Sequence, residues 1–187
     1  DWSADLTIME EGTELLERIK SGENLPLLTS CCPGWVNFLE HQFPNLLHMP
    51  STAKSPQQMF GAIAKSYYAE KIGVDPSDMV VVSIMPCLAK KYEASRPEFA
   101  NDGVRDVDYV LSTRELASMV KEAGIVFDRL PDEQYDSPLG ESTGAAVIFG
   151  ASGGVLEAAL RTAAAWIEGD KDSPIDFVAV RGLEYGP

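Results

Sequence analysis

Two hydrophobic patterns alternate along the chain: short apolar runs, and longer stretches in which apolar residues return every three or four positions. The runs predict strands at Leu25 to Thr29 (LPLLT), Met79 to Met85 (MVVVSIM), Val107 to Leu111 (VDYVL) and Phe177 to Val180 (FVAV). Near-continuous apolar runs suit a sheet covered on both faces. The periodic stretches predict helices. A first helix spans Glu10 to Lys20. Another opens at Ser55-Pro56-Gln57-Gln58, with a capping serine, proline at the first helical position and glutamine at the third. It runs through Met59, Phe60, Ile63, Tyr67 and Ile72 and stops at Gly73. Ser112 to Glu115 repeats the capping pattern ahead of Leu116, Met119, Val120 and Ala123, with Gly124 as the stop. A further helix follows Gly153-Gly154 through Val155, Leu156, Ala159, Leu160 and Ala163 to Gly169. Arg129 to Thr143, rich in Pro, Asp, Gly and Ser, reads as a surface excursion. Strands alternating with helices predict an α/β fold: a mostly parallel four-stranded sheet flanked by helices, in one unit over residues 1–187.

Composition narrows the partners. At 187 residues and 45% apolar, the chain is long enough for one sizeable core. Fifteen Lys and Arg against 29 Asp and Glu leave a net charge of −14, which argues against nucleic acid, because phosphate binding needs a basic surface. No run approaches the ~20 apolar residues of a membrane span, and no leader pattern opens the chain. A start at Asp1 and a stop at Pro187, just after an expected strand, suggest a segment of a longer protein. Three cysteines, two of them adjacent, do not make a disulfide framework, so reduced thiols or metal ligation remain and a cytoplasmic location is expected.

Cys31 and Cys32 follow the first expected strand and Cys87 follows the second. Open parallel sheets bind ligands outside the carboxyl ends of their strands, so these thiols are expected to converge. Around Cys31 and Cys32, Pro33 and Gly34 turn the chain and hold a thiol in the fixed approach that a cluster iron needs. Read alone, the pair also fits two buried free cysteines. Lys90, three residues after Cys87, could lower a thiol pKa or bind an anion, and read alone also fits a snorkelling surface lysine. A cubane takes four thiolates and structural zinc takes four ligands; three cysteines fill neither, and His41 and His48 have no ligand spacing. Any bound metal therefore needs ligands from outside the chain. Glu11, Glu14 and Arg18 fall on one helical face, which alone reads as a charged surface. GASGG alone reads as a helix start.

Together the segments TSCCPGW and MPCLAKKYE, with the SPQQMFG helix start between them and LTIMEEGTELLERI ahead, resemble the catalytic domain of iron-only (FeFe) hydrogenases of clostridial type. The resemblance continues through RPEF, GVRDVDYVLSTREL, GASGGVLEAALRTA and VRGL, covering essentially the whole chain. It implies one lobe of a two-lobed domain around the H-cluster, a 4Fe-4S cubane linked to a di-iron subcluster. The implied reaction is reversible reduction of protons to H2, with electrons from ferredoxin or a similar carrier. In that likeness Cys31 is the proton donor, Cys32 and Cys87 ligate the cubane, Lys90 hydrogen-bonds a cyanide and Met85 lines the same pocket. Protons would pass along Glu11, Ser51, Glu14 and Arg18, and Phe149, Gly150 and Gly153 would form a loop closing on the di-iron unit. A third motif with two further cysteine ligands is expected outside this chain, in the rest of the domain, so the segment alone is expected to be inactive. The alternative is a hydrogenase-like protein of cluster assembly or H2 sensing. The resemblance makes such relatives depart at the proton donor, so Cys31 with Glu11 and Glu14 argues against it.

Overall fold

Capping chemistry decides where several helices begin and end. Ser112 Oγ accepts from the Glu115 N–H at 3.2 Å while the Glu115 carboxylate accepts from the Ser112 N–H at 2.7 Å, closing the expected capping box. Gly73 takes the left-handed conformation (φ 71°) that ends the helix before it.

The computed structural model describes residues 1–151 and 153–169. In chain order it contains α1 (Trp2–Ser21), α2 (Pro33–Gln42), α3 (Pro56–Ile63), α4 (Ala69–Ile72), β1 (Val82–Met85) and α5 (Ala89–Ser95). These are followed by β2 (Ala100–Asn101), β3 (Val104–Arg105), β4 (Tyr109–Ser112), α6 (Thr113–Glu122), α7 (Gly144–Phe149) and α8 (Gly154–Glu168). A π-helical turn, Ala64–Tyr68, joins α3 to α4.

The α/β class holds, and among the described residues the strands pair as two two-stranded sheets where one four-stranded sheet was expected. β1 and β4 pair in parallel, Val82 opposite Tyr109 through Met85 opposite Ser112, while β2 and β3 form a two-residue antiparallel pair. The run Leu25 to Thr29 makes a single parallel bridge, Leu28 to Pro50. Pro26 has no N–H to give a ladder, which limits pairing there. The strand expected at Phe177 to Val180 lies outside the described residues. Nor is β1 covered on both faces: Val82 and Ile84 stay about half exposed among the described residues. α1 begins at Trp2, well before Glu10, with Asp5 in its first turn and Arg18 and Lys20 in its last, the charge order its dipole favours. α2 starts on Pro33 at the first helical position, where a simple turn was expected.

The chain divides into two compact units, residues 1–56 with 141–187, and residues 57–140. In the first, α1 packs on α7 and α8. Ala158, Ala159 and Ala163 are buried small residues on α8, and a Cβ on Gly12 of α1 would sit 3.2 Å from the Trp166 ring. Close approach is therefore built into both helices. In the second unit, Ala64, Val81, Ala94, Val107 and Val110 form the core, with Met85 packed against it. A Cβ on Gly61 would clash with the Asp106 backbone, so α3 passes that strand connection only as glycine.

Candidate functional site

The face of α1 carrying Glu11, Glu14 and Arg18 turns inward, not to solvent. Glu11 is 1% exposed, and neither of its carboxylate oxygens has a hydrogen-bond partner. Burial pushes its carboxyl above the ordinary value. The Ser51 hydroxyl and the Ser30 backbone N–H lie close enough to oppose that shift, yet neither reaches hydrogen-bonding geometry, and the Glu14 charge reinforces it.

Glu14, one turn further, is the reverse case. Partial burial would raise it, but hydrogen bonds from Thr52, Arg18 and Ser51 outweigh that and hold the carboxyl below its usual range. Its Oε1 faces Arg18 Nη2 at 2.5 Å. Its Oε2 accepts from Ser51 Oγ at 3.1 Å, Thr52 N–H at 2.9 Å and Thr52 Oγ1 at 3.2 Å. The Arg18 guanidinium also donates to the carbonyls of Asn24 and Met49 through Nη1 and of Pro50 through Nη2, all at 2.8 Å. A cavity of about 510 Å³ opens beside this cluster, lined by Glu14, Glu17, Arg18, His48 and Thr52 among others. The structure thus brings Glu14, Ser51 and Arg18 together, with Glu11 buried next along the helix. Thr52 joins them although the sequence reading passed it over; its place directly after Ser51 was the available signal.

Cys31 is half-buried and Cys32, the N-cap of α2, is exposed. Both belong to the first unit and Cys87 to the second, where it is exposed two residues past the end of β1. None of the three is in a disulfide. Among the described residues, no group of three or more His, Cys, Asp or Glu side chains is arranged to hold a metal.

In the second unit, Lys90 is buried on α5, not a surface lysine. Its Nζ donates to both Glu93 carboxylate oxygens at 3.1 Å. The Gln57 amide donates to Glu93 Oε2 and to the Lys90 carbonyl, each at 3.2 Å, and is itself fixed by Ser83 Oγ at 2.7 Å. The i, i+3 spacing of Lys90 and Glu93 would have revealed this pair. Met85 ends β1, half-buried against the core. Phe149 ends α7, Gly150 follows it, and Gly153 (φ 77°) is the left-handed N-cap of α8, so these three form the corner between two helices of the first unit.

Residues 1–186 match the family model described as the iron only hydrogenase large subunit, C-terminal domain. The chain belongs to that family. It is 60% identical to the NADP-reducing hydrogenase subunit HndD of Solidesulfovibrio fructosivorans, across 98% of this chain and 32% of that protein. To the periplasmic iron hydrogenase large subunit of Nitratidesulfovibrio vulgaris it is 55% identical, across 98% of this chain and 44% of that one. The apo FeFe-hydrogenase HydA1 structure from Chlamydomonas reinhardtii superposes with a TM-score of 0.82 at 48% identity, covering 97% of this chain and 46% of that chain. A more distant relative, at 33% identity over 98% of this chain and 41% of that protein, is the cytosolic iron-sulfur assembly component 3 of Mus musculus. The chain thus spans 32% to 44% of the length of these relatives. No helix among the described residues is long and apolar enough to cross a membrane. One hydrogenase relative is named periplasmic, so family membership leaves the compartment open.

The family implies an iron–sulfur H-cluster, and the donors present fit part of one. Cys32 and Cys87 offer exposed thiols outside any disulfide, and thiolates are the ligands such clusters take. Three cysteines in the whole sequence are fewer than the four a cubane uses.

Proposed function

We propose that residues 1–187 form one lobe of an iron-only hydrogenase catalytic domain and carry the proton route to its cluster. The supporting observation is the pair of α1 carboxyls with opposed environments, Glu11 buried and raised, Glu14 hydrogen-bonded and lowered. Carboxyls pushed apart in this way are suited to acid and base roles. Glu14 stays ionised and accepts protons from the solvent side. Ser51, whose hydroxyl both donates and accepts, passes them inward. Glu11 holds a proton in a dry site and returns it to Cys31, whose thiol can give up and regain a proton.

Cys32 and Cys87 would be cluster ligands, joined by two cysteines from the rest of the domain. In the second unit Lys90, oriented by Glu93, would hydrogen-bond a cyanide of the bound cofactor and Met85 would line its surroundings; in the first unit Phe149, Gly150 and Gly153 would be cofactor-binding residues. When bound, the H-cluster supplies the redox chemistry by which two protons and two electrons become H2. Electrons would come from ferredoxin or a comparable carrier, and the segment by itself would be inactive.

The test is Cys31→Ser in the complete protein. We expect the infrared bands of CO and CN ligands to persist while H2 evolution is nearly lost; unchanged evolution refutes the shuttle role. Wild-type protein with neither bands nor H2 evolution would favour a role in cluster assembly, in keeping with the 33% relative.

A further inference from the structure

We propose that the Thr52 hydroxyl, and not Arg18, exchanges protons between the outer cavity and Glu14. This rests on the route proposed above.

Among the described residues, the donors at Glu14 can each be judged by their chemistry. On Oε1 sits Arg18, a guanidinium that does not deprotonate in proteins and whose terminal nitrogens also serve the carbonyls of Asn24, Met49 and Pro50. Such a group can hold a loop and a charge but cannot hand on a proton. On Oε2 sit three donors. The Thr52 backbone N–H keeps its hydrogen. Ser51 is buried, 6% exposed, its Oγ also accepts from the Ala53 N–H at 3.1 Å, and it is not among the residues lining the cavity. The Thr52 hydroxyl remains: it lies 3.2 Å from Oε2 on an exposed residue and lines the cavity. A hydroxyl can accept one proton while donating another, so it can relay.

In the inward direction a protonated cavity water gives its proton to Thr52 Oγ1 as the hydrogen already there passes to Glu14 Oε2. One O–H bond breaks at the water, one forms at Glu14, the threonine is regenerated and no electrons move. During H2 oxidation the same step runs outward. Among the described residues, Arg18 and Glu11 from α1 are the charged and titratable groups coupled to Glu14, and Glu17 from α1 and His48 from the segment that carries Ser51 and Thr52 line the same cavity.

The experiment uses the complete, cluster-loaded hydrogenase. Thr52→Val removes the hydroxyl and keeps both the backbone N–H and the side-chain volume, while Thr52→Ser keeps the hydroxyl. We expect Thr52→Val to lower H2 evolution at least about tenfold, in line with loss of one positioned proton-transfer group. The acid limb of its pH profile should move to higher pH, because a carboxylate that loses a donor becomes easier to protonate. Thr52→Ser should restore both rate and profile. Equal CO and CN band intensities establish that the variants are assembled, and Thr52→Ala carries the same expectation should valine prevent assembly. A Thr52→Val or Thr52→Ala protein with wild-type rate and profile overturns the proposal, as does a Thr52→Ser protein as impaired as valine. Glu14→Gln separates the two levels: full activity there refutes the route itself, whereas an inactive Glu14→Gln beside an active Thr52→Val refutes only the role of Thr52.

Discussion

Arg18→Met tests whether the guanidinium is the clasp of the outer route. The change keeps an unbranched chain of similar length and deletes the charge and all its donors. In the native structure those donors hold Glu14 and three carbonyls from the segments around Asn24 and Met49 to Pro50, with the paired side chains only 10% and 16% exposed. Breaking a fully buried ion pair costs about 3–5 kcal/mol, and each hydrogen bond from a charged donor contributes about 1.5–3 kcal/mol. The terms are not additive, and the adjoining cavity lets water replace part of them. An expected cost of about 3–4 kcal/mol follows, or ~two to three powers of ten in a local opening equilibrium. Native-state hydrogen exchange on the full-length protein reads this directly, at the amides of Leu28, which donates to Met49, Ser51, which donates to Leu28, and Thr52, which donates to Glu14. Protection at these three should collapse while α6 amides, in the other unit, keep theirs. A loss below about 1 kcal/mol at all three would refute the clasp, since even one charge-assisted bond exceeds it.

Two more outcomes follow from buried charge. Glu11→Gln should stabilise the protein at neutral pH: a raised folded pKa means the native state binds the proton more tightly, so the stability Glu11 contributes is present below about 4.5 and is lost as pH rises through its folded pKa. Urea unfolding from pH 4 upward should therefore show wild type losing stability relative to Glu11→Gln, and parallel curves would contradict the dry carboxyl. Glu93→Gln removes the charge facing Lys90, whose side chains are 11% and 5% exposed in the pair, and should cost about 2–4 kcal/mol. A double-mutant cycle with Lys90→Met should give a coupling above about 1 kcal/mol; a coupling near zero would show that the two residues act independently.

Local patterns in the sequence carried much of this protein. The α/β class follows from alternating apolar runs and periodic stretches, the capping box at Ser112 and Glu115 is written in adjacent residues, and α1 periodicity alone aligns Glu11, Glu14 and Arg18. Two motifs, TSCCPGW and MPCLAKKYE, identified the family by likeness. What the pattern could not reveal was direction and satisfaction. A helical face of two glutamates and an arginine reads equally as a solvated surface; only the chain returning 37 residues later with Ser51, and next to it Thr52, covers it and hydrogen-bonds Glu14. Whether Leu25 to Thr29 becomes a strand or one bridge depends on which neighbour offers carbonyls and N–H groups, and that is settled by packing. The opposed states of Glu11 and Glu14 have the same origin. Both are glutamates on one helix, and what separates them is how many donors the folded chain brings to each carboxylate, a long-range quantity that local spacing does not encode.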